Sequence, residues 1–542
     1  MAEADVGRVQ DTPAGGSSID FAFTVRLNPR AIRVGLPGIL PILATGLVLR
    51  LALAFLQSFQ IDTGTFQAWS AQVAIHHVEG QGLIGPWDFY DTDFFTDYAP
   101  GYMYVLWLFG QLNQVFHLSL AEFEYILKLP SIAADIGSAY VLYLLLRDQK
   151  HEYRIGAAAL YLLFPPVLLI GPVWGQVDSL LAFFLLLSVY FIGRERPMAG
   201  ALAYTVGFLV KPQIIAALPF LAFWIMRRYR SENPVQPSTQ FLTGLSILAV
   251  GTAGLLLVEE EPRAAYRIVF GGVIAVGGIE ALRGLARLAL DQSQLMMQGG
   301  LPLRGVLLSF PIWYQAVGVS LALALILVFP FFTYKPWEII GQLYDANEVY
   351  PVNSFFAYNF WTSGFWSGGL SHGFQPDVAG IQPGQGTFLG VDHRYWALAL
   401  FFVSTAAIIG VMWRSEGTGA LALGAALCVL VFYLFMTRMH ERYLFAFFLP
   451  FLAAAVALRS RVLLAAFFGL GLIHFFNLYH VYVYYQHTLK WNSLYNWFEK
   501  TNTLGTGLDT VQFLSILMVI ALPLLIAAAY VIANQPRRAG VT

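Results

Sequence analysis

An all-α polytopic membrane bundle is the fold class predicted by three observations. The 542 residues are 58% hydrophobic and only 12% charged, whereas a soluble globular chain carries roughly 25% charged residues. Apolar runs long enough to cross a hydrocarbon core recur along the chain, among them Val34 to Gln57, Phe241 to Val258, Ala397 to Trp413 and Phe513 to Ala533. These runs are continuously apolar, whereas strands of a membrane barrel alternate apolar and polar positions, so the crossing segments are expected to be helices.

The formal net charge of −1 provides no basic field for nucleic acid, and the few cations are more informative as topology markers. Arg26, Arg30 and Arg33 set the N-terminus on the cytoplasmic side. The same side is marked by Arg147, Lys150, Arg154, Arg194, Arg196, Arg227, Arg228, Arg230, Arg283, Arg287, Arg414, Arg459, Arg461, Arg537 and Arg538. Helical pairs between these marks give about 14 crossings, within a range of about 12–15. The expected layout is a cytoplasmic tail over residues 1–33, a membrane domain over 34–532 and a second cytoplasmic tail over 533–542. The outer face receives a first loop at 58–100 and long loops at 333–395 and 479–507. No cleavable leader is evident, so the first span is expected to be the anchor. Gly101 to Phe116 is apolar enough to resemble a span, but charge parity requires that it does not cross alone; Gln111, Asn113 and Gln114 suit a short or re-entrant helix. No repeat of 20–50 residues and no pair of similar halves is seen. Cys428, the one cysteine, lies in an apolar run and reads as a core residue.

The candidate chemistry falls on the outer turns. In the first loop, Asp62 stands just beyond the first span and opens an amphipathic stretch in which Phe66, Trp69 and Val73 recur at helical spacing, as on an interfacial helix. A helix-capping aspartate is the plain alternative, and the two roles are compatible. Asp88, Asp91, Asp93 and Asp97 follow. They could hold a divalent cation through hard oxygens, although a solvated acidic loop is commoner and the spacing matches no calcium loop. Asp97 precedes the turn Tyr98-Ala99-Pro100-Gly101-Tyr102.

Polar residues also occupy the turn Trp174-Gly175-Gln176-Val177-Asp178-Ser179. Lys211-Pro212-Gln213 joins two short spans, and a lysine at an outer turn and at a helix N-terminus is unfavourable on both counts unless it faces an anion or snorkels to the interface. Arg438 to Leu444 repeats the anomaly; Arg442 offers a bidentate fork and His440 a hydrogen bond to a phosphate, with a salt-bridged helix cap as the alternative. The second histidine of a zinc-protease motif is missing. His76 and His77, the aromatic stretch Tyr479 to Tyr485 and that from Phe355 to Trp366 read as interfacial belt residues, though rings also stack on sugars.

In order and spacing these segments, together with Val352 to Trp361, resemble the GT-C superfamily of integral-membrane glycosyltransferases. The closest likeness is to bacterial relatives of the second-mannose transferase of GPI-anchor synthesis. Six short motifs spread over most of the chain carry the resemblance. Relatives often have two prolines where this chain has Ala99-Pro100, and residues 231–300 match nothing in the family pattern. The resemblance implies inverting transfer of a sugar, a hexose such as mannose, from a polyprenyl-phosphate donor to a hydroxyl of a lipid, glycan or protein acceptor. It places the site on the outer face of a bacterial plasma membrane. Asp62 would then be the general base, with Asp97 the second choice. Lys211, Arg442 and His440 would hold the donor phosphate, and Trp174, Gln176, Asp178, Gln213, Asn359, Trp361 and Glu441 would line the substrates. No cofactor is expected beyond a divalent metal at the acidic loop. A transporter or flippase of a lipid-linked substrate is the rival reading, and a polysaccharide ligase or polymerase another; a transporter should carry paired charges at mid-membrane and related halves.

Overall fold

Continuous apolarity produces a structure that is overwhelmingly helical. The computed structural model describes residues 22–27, 30–35, 38–75, 89–91, 96–228, 237–257, 263–290, 312–332, 335–364, 373–379, 381, 385–487, 489–498 and 500–534. Its helices in chain order are α1 (Ile39–Leu53), α2 (Gln60–Ile75), α3 (Pro100–Phe116), α4 (Leu120–Leu127), α5 (Leu129–Leu145), α6 (His151–Leu162), α7 (Pro165–Leu168), α8 (Asp178–Gly193), α9 (Pro197–Val210) and α10 (Leu218–Arg228). They continue with α11 (Pro237–Leu257), α12 (Arg263–Leu290), α13 (Ile312–Val328), α14 (Ile339–Glu348), α15 (His393–Val411), α16 (Thr418–Phe435), α17 (Phe445–Ala457), α18 (Arg461–Gln486), α19 (Asn492–Phe498) and α20 (Thr510–Asn534). Strands are confined to short pairs: β1 (Ala22–Leu27) with β2 (Arg30–Gly35), β3 (Ser354–Phe355) with the later β6 (Met439–His440), and β4 (Thr387–Phe388) with β5 (Val391–Asp392).

Six helices among the described residues are long and apolar enough to cross a membrane, and the bent pair α6–α7 makes a seventh if taken as one span. This is an integral membrane bundle. The expected total of about 14 crossings rests on shorter helices such as α1, α8 and α9, which end early at polar turns. In α16, 83% of the apolar window is buried, against 17–39% in the other five, which makes α16 the centre of the bundle. Cys428 lies there, fully buried as expected. The helix α18 runs on to Gln486, so the loop expected from residue 479 begins later: the rings of Tyr479, Tyr482 and Tyr485 pack against the bundle, while Tyr484 is exposed.

The expected basic markers gather at one end. Arg194 Nη2 donates to Leu144 O at 2.7 Å, Arg459 Nε to Gln149 Oε1 at 2.9 Å, and Gln149 Nε2 to Ala457 O at 3.1 Å. Arg227 donates to the carbonyls of Met412, Trp413 and Ser415, and Arg228 meets Glu195 at 3.0 Å. The side chains of Arg26, Arg30, Arg33, Arg230, Arg287, Arg537 and Arg538 lie outside the described residues.

The opposite end holds the turns with candidate chemistry. Lys128, which precedes α5, caps the spent carbonyls of α1 by donating to Ala54 O at 2.9 Å and Leu56 O at 2.8 Å. The end of α1 and the start of α5 therefore share this face, and α2–α4 between them make an even number of crossings, so α3 is not a lone span. α3 begins beside the end of α9: a side chain at Gly101 would strike the backbone of Leu209 and Val210. α2 lies alongside it, with Ser70 Oγ donating to Leu106 O at 2.6 Å and Phe66 packed on Tyr98 and Tyr102. α11 and α12 form a hairpin whose glycines bring backbones together, Gly244 against Ala281, Gly277 against Leu248 and Gly284 against Phe241.

Sequence reading did not single out the ion pair inside the bundle. Arg50 Nε of α1 meets Asp135 Oδ2 of α5 at 2.9 Å, both fully buried, and Tyr161 donates its hydroxyl to Asp135 Oδ1 at 3.2 Å. Leaving a buried charge without its partner costs about 3–5 kcal/mol. Asp135→Ala is therefore expected to lower the thermal midpoint of the purified protein sharply, while the double replacement Arg50→Met with Asp135→Leu recovers most of the loss.

Candidate active site

Local backbone geometry brings Asp62 into place. Phe59 N donates to Trp174 O at 3.0 Å, and the Phe59 ring stacks on Trp174 with centroids 4.4 Å apart, which docks the start of α2 on the α7–α8 turn. That turn is a π-helical segment, Leu169–Trp174, ended by Gly175 at φ +88°. A side chain at Gly175 would meet Thr63 of α2, so glycine serves both the left-handed conformation and the close approach. Trp174 Nε1 then donates to Asp62 Oδ2 at 2.6 Å.

The other side of Asp62 faces the turn between α16 and α17, where Arg442 Nη2 lies 3.8 Å from Asp62 Oδ1. Arg442 Nη1 also donates to Glu441 Oε1 at 2.9 Å. Burial works against the Arg442 charge, but Asp62 and Glu441 more than offset it and keep the guanidinium protonated. Burial raises the Asp97 carboxyl, with Arg442 pulling it down and Asp62 pushing it up. Glu441 is likewise raised by burial, against the pull of Arg442. Burial, then the charges of Arg442 and Lys211, hold His440 well below its usual range, so this imidazole is neutral.

These groups line one cleft of about 140 Å³. Asp62, Asp97, His440, Glu441 and Arg442 supply its polar surface, and its walls are rings, including Phe66, Trp69, Tyr98, Tyr350, Phe355 and Tyr485. Two buried donor-type atoms of this group have no hydrogen-bond partner, Arg442 Nε and His440 Nδ1. Of these rings, Phe355 and Tyr485 belong to the stretches expected to form a membrane belt, because composition alone does not tell a ring at headgroup level from one facing a cleft.

The remaining expected residues divide into two sets. Lys211 is buried behind the cleft and bonded to Asp178 Oδ1 at 2.8 Å, with its amine 5.5 Å from the Tyr443 ring and 5.8 Å from the Tyr98 ring. Burial pushes the amine down and Asp178 pulls it back up. Lys211 caps the C-terminus of α9 in extended backbone, so it stands on the favourable end of that helix dipole and not only ahead of the next turn, Pro212–Ala217. Gln176 Oε1 accepts from the Tyr98 hydroxyl at 3.1 Å, and Gln213 lies beside Tyr443. Asn359 and Trp361 belong elsewhere: Asn359 Nδ2 donates to Tyr433 O at 3.3 Å and Trp361 Nε1 to Phe435 O at 2.9 Å, pinning the long loop to the end of α16. Asp88, Asp93, His76 and His77, and the side chain of Asp91, lie outside the described residues. Among the described residues no group of three or more His, Cys, Asp or Glu side chains is placed to hold a metal ion.

Arg438 is the organising residue that sequence reading passed over for Arg442. Its backbone is left-handed, at φ +64°. The guanidinium grips Asp377 at 2.7 and 3.2 Å, Glu348 Oε1 at 2.7 Å and Asn347 O at 2.8 Å. Beside it, Phe355 of β3 pairs with His440 of β6. The long loop is thereby fixed with Tyr350 and Phe355 at the cleft. No family model matches the chain, and no curated protein is significantly similar to it. What fold and site define is an all-α integral membrane bundle with a ring-walled, carboxylate-bearing cleft at the end opposite the expected cytoplasmic arginines.

Removing the charge-assisted bonds of Arg438 should raise the population of the open loop more than tenfold, an effect of about 1.4 kcal/mol or more. Arg438→Ala is expected to speed limited proteolysis within residues 335–392 by at least that factor, while helical content by circular dichroism stays unchanged.

Proposed function

We propose that the protein is an inverting glycosyltransferase that moves a sugar, a hexose such as mannose, from a polyprenyl-phosphate donor to an acceptor hydroxyl, with Asp62 as general base. The observation that carries the reading is the meeting of Asp62, from the first turn of α2, with Arg442, from a turn 380 residues later, in one cleft at the end opposite the expected cytoplasmic arginines. Under the positive-inside rule that end is the outer face, here of a bacterial plasma membrane. Three carboxyl groups, a buried guanidinium and ring walls suit a sugar and a leaving phosphate better than a purely apolar lipid tail.

In the proposed reaction Asp62, steered by Trp174, accepts the proton of the acceptor hydroxyl. The acceptor oxygen attacks the anomeric carbon as the bond to phosphate breaks, and the single displacement inverts that centre. Arg442 takes the developing charge of the leaving lipid phosphate. Its unpartnered Nε and the neutral His440 are the donors best placed to do so, because Lys211 is already matched to Asp178. Lys211 then acts from behind the cleft, offsetting Asp178 and facing Tyr98 and Tyr443. A transport reading would rest on the pair Arg50–Asp135, which is fully buried and lies outside the lining of the cleft.

The test is incubation of purified protein with a panel of labelled polyprenyl-phosphate sugars and candidate acceptors. Asp62→Asn should remain folded and membrane-inserted while transfer falls by about 10²–10⁴-fold; normal turnover by this variant removes Asp62 from the mechanism, and consumption of no donor by the wild type defeats the reading. The pH profile adds a check. Asp97 has a raised pKa, so activity that needs its carboxylate is present at high pH and lost as pH falls through a value above the ordinary aspartate range, about 3.9. Asp97→Asn, which mimics the protonated acid, is expected to hold the low rate of that acid limb at every pH. His440, already neutral, should contribute no inflection near its usual value, and His440→Gln should change the rate without moving the profile.

A further inference from the structure

The basic end of the bundle carries a second polar concavity. A cavity of about 600 Å³ lies between the end of α5 and the α8–α9 connection, lined by Arg147, Tyr190, Phe191, Gly193, Arg194, Glu195 and Arg196. Topology alone requires only that cations stand at this end; it does not require three guanidinium groups to line one cavity.

The nearby acids are engaged elsewhere or exposed. Glu195 binds Arg228 at 3.0 Å, and Asp148 lies 3.5 Å from Arg147 with both side chains largely in solvent. Arg194 is oriented in advance. Its Nη2 is fixed on Leu144 O at 2.7 Å and its guanidinium lies 5.2 Å from the Tyr190 ring centroid, while Nη1 is buried without a hydrogen-bond partner. A rigid fork with a spare donor, flanked by two further arginines, matches the oxygens of a phosphate group.

We propose that this cavity binds a phosphate oxyanion, supplied by the headgroup of an anionic phospholipid. The lipid source follows from position: the cavity opens where α5 and α8 end, at headgroup level for helices that cross the bilayer, and Tyr190 and Phe191 bring rings to the same level. The proposal rests on the membrane fold and is independent of the proposed reaction.

The experiment uses the full chain in phosphatidylcholine nanodiscs containing phosphatidylglycerol, with retained lipid counted by native mass spectrometry and thermal midpoints recorded in parallel. Arg194 is left intact because it ties α8 to α5. The double variant Arg147→Ala with Arg196→Ala should retain at least fivefold less phosphatidylglycerol than wild type. Arg459→Ala, at the same end but bonded to Gln149, should match wild type. Equal retention by all three proteins, or an equal fall in Arg459→Ala, overturns the site. A separate arm titrates inorganic phosphate. If it stabilises wild type but not the double variant while phosphatidylglycerol has no effect, the oxyanion site stands and its lipid source is overturned.

Discussion

Arg442 is the interaction on which the site end of the molecule depends. A guanidinium buried there is tolerable only because Glu441 and Asp62 surround it. Asp62 in turn is kept in reach by Trp174, and Trp174 by the π-helical turn that Gly175 closes. These contacts join three segments distant in sequence, so the cleft exists only when the start of α2, the turn before α8 and the turn before α17 are assembled. Electrostatics there makes a folding requirement and a functional arrangement out of the same groups.

How the compensation is distributed separates the two cations expected to hold phosphate. Lys211 has one near partner and a fixed bond, which makes it part of the scaffold behind the cleft. Arg442 is shared among several carboxylates at unequal distances and keeps a donor atom in reserve. An incoming anion competes with the longer contact to Asp62 far more easily than with the Lys211–Asp178 bond. The aromatic walls strengthen such competition by keeping water from screening it.

The sequence made the membrane class legible because solvent dictates it: continuous apolar runs have few other uses. Asp62, Asp97 and Arg442 were also legible, since charge at a turn where apolar residues are expected stands out against its neighbours. Arg438, Arg50 and Asp135 were not, because pairing is a property of tertiary proximity and leaves no local pattern. Asn359 and Trp361 misled for a related reason. A polar and aromatic turn looks the same in sequence whether it binds a ligand or, as here, ties a loop to α16 through backbone carbonyls. The early ends of α8 and α9 were foreshadowed by their polar turns, but the continuation of α18 to Gln486 was not, since tyrosines suit both a helix and an interface.

The α11–α12 hairpin is loosely tied to the other helices, packing chiefly on itself, with α12 also reaching α14. Its glycine-faced contact is made of dispersion between two close backbones. Such a unit gathers its cohesion before docking, so it can enter the bilayer as a preassembled pair during synthesis. Substitution there disturbs few contacts elsewhere, so the hairpin can change in length and sequence while the cleft keeps its form.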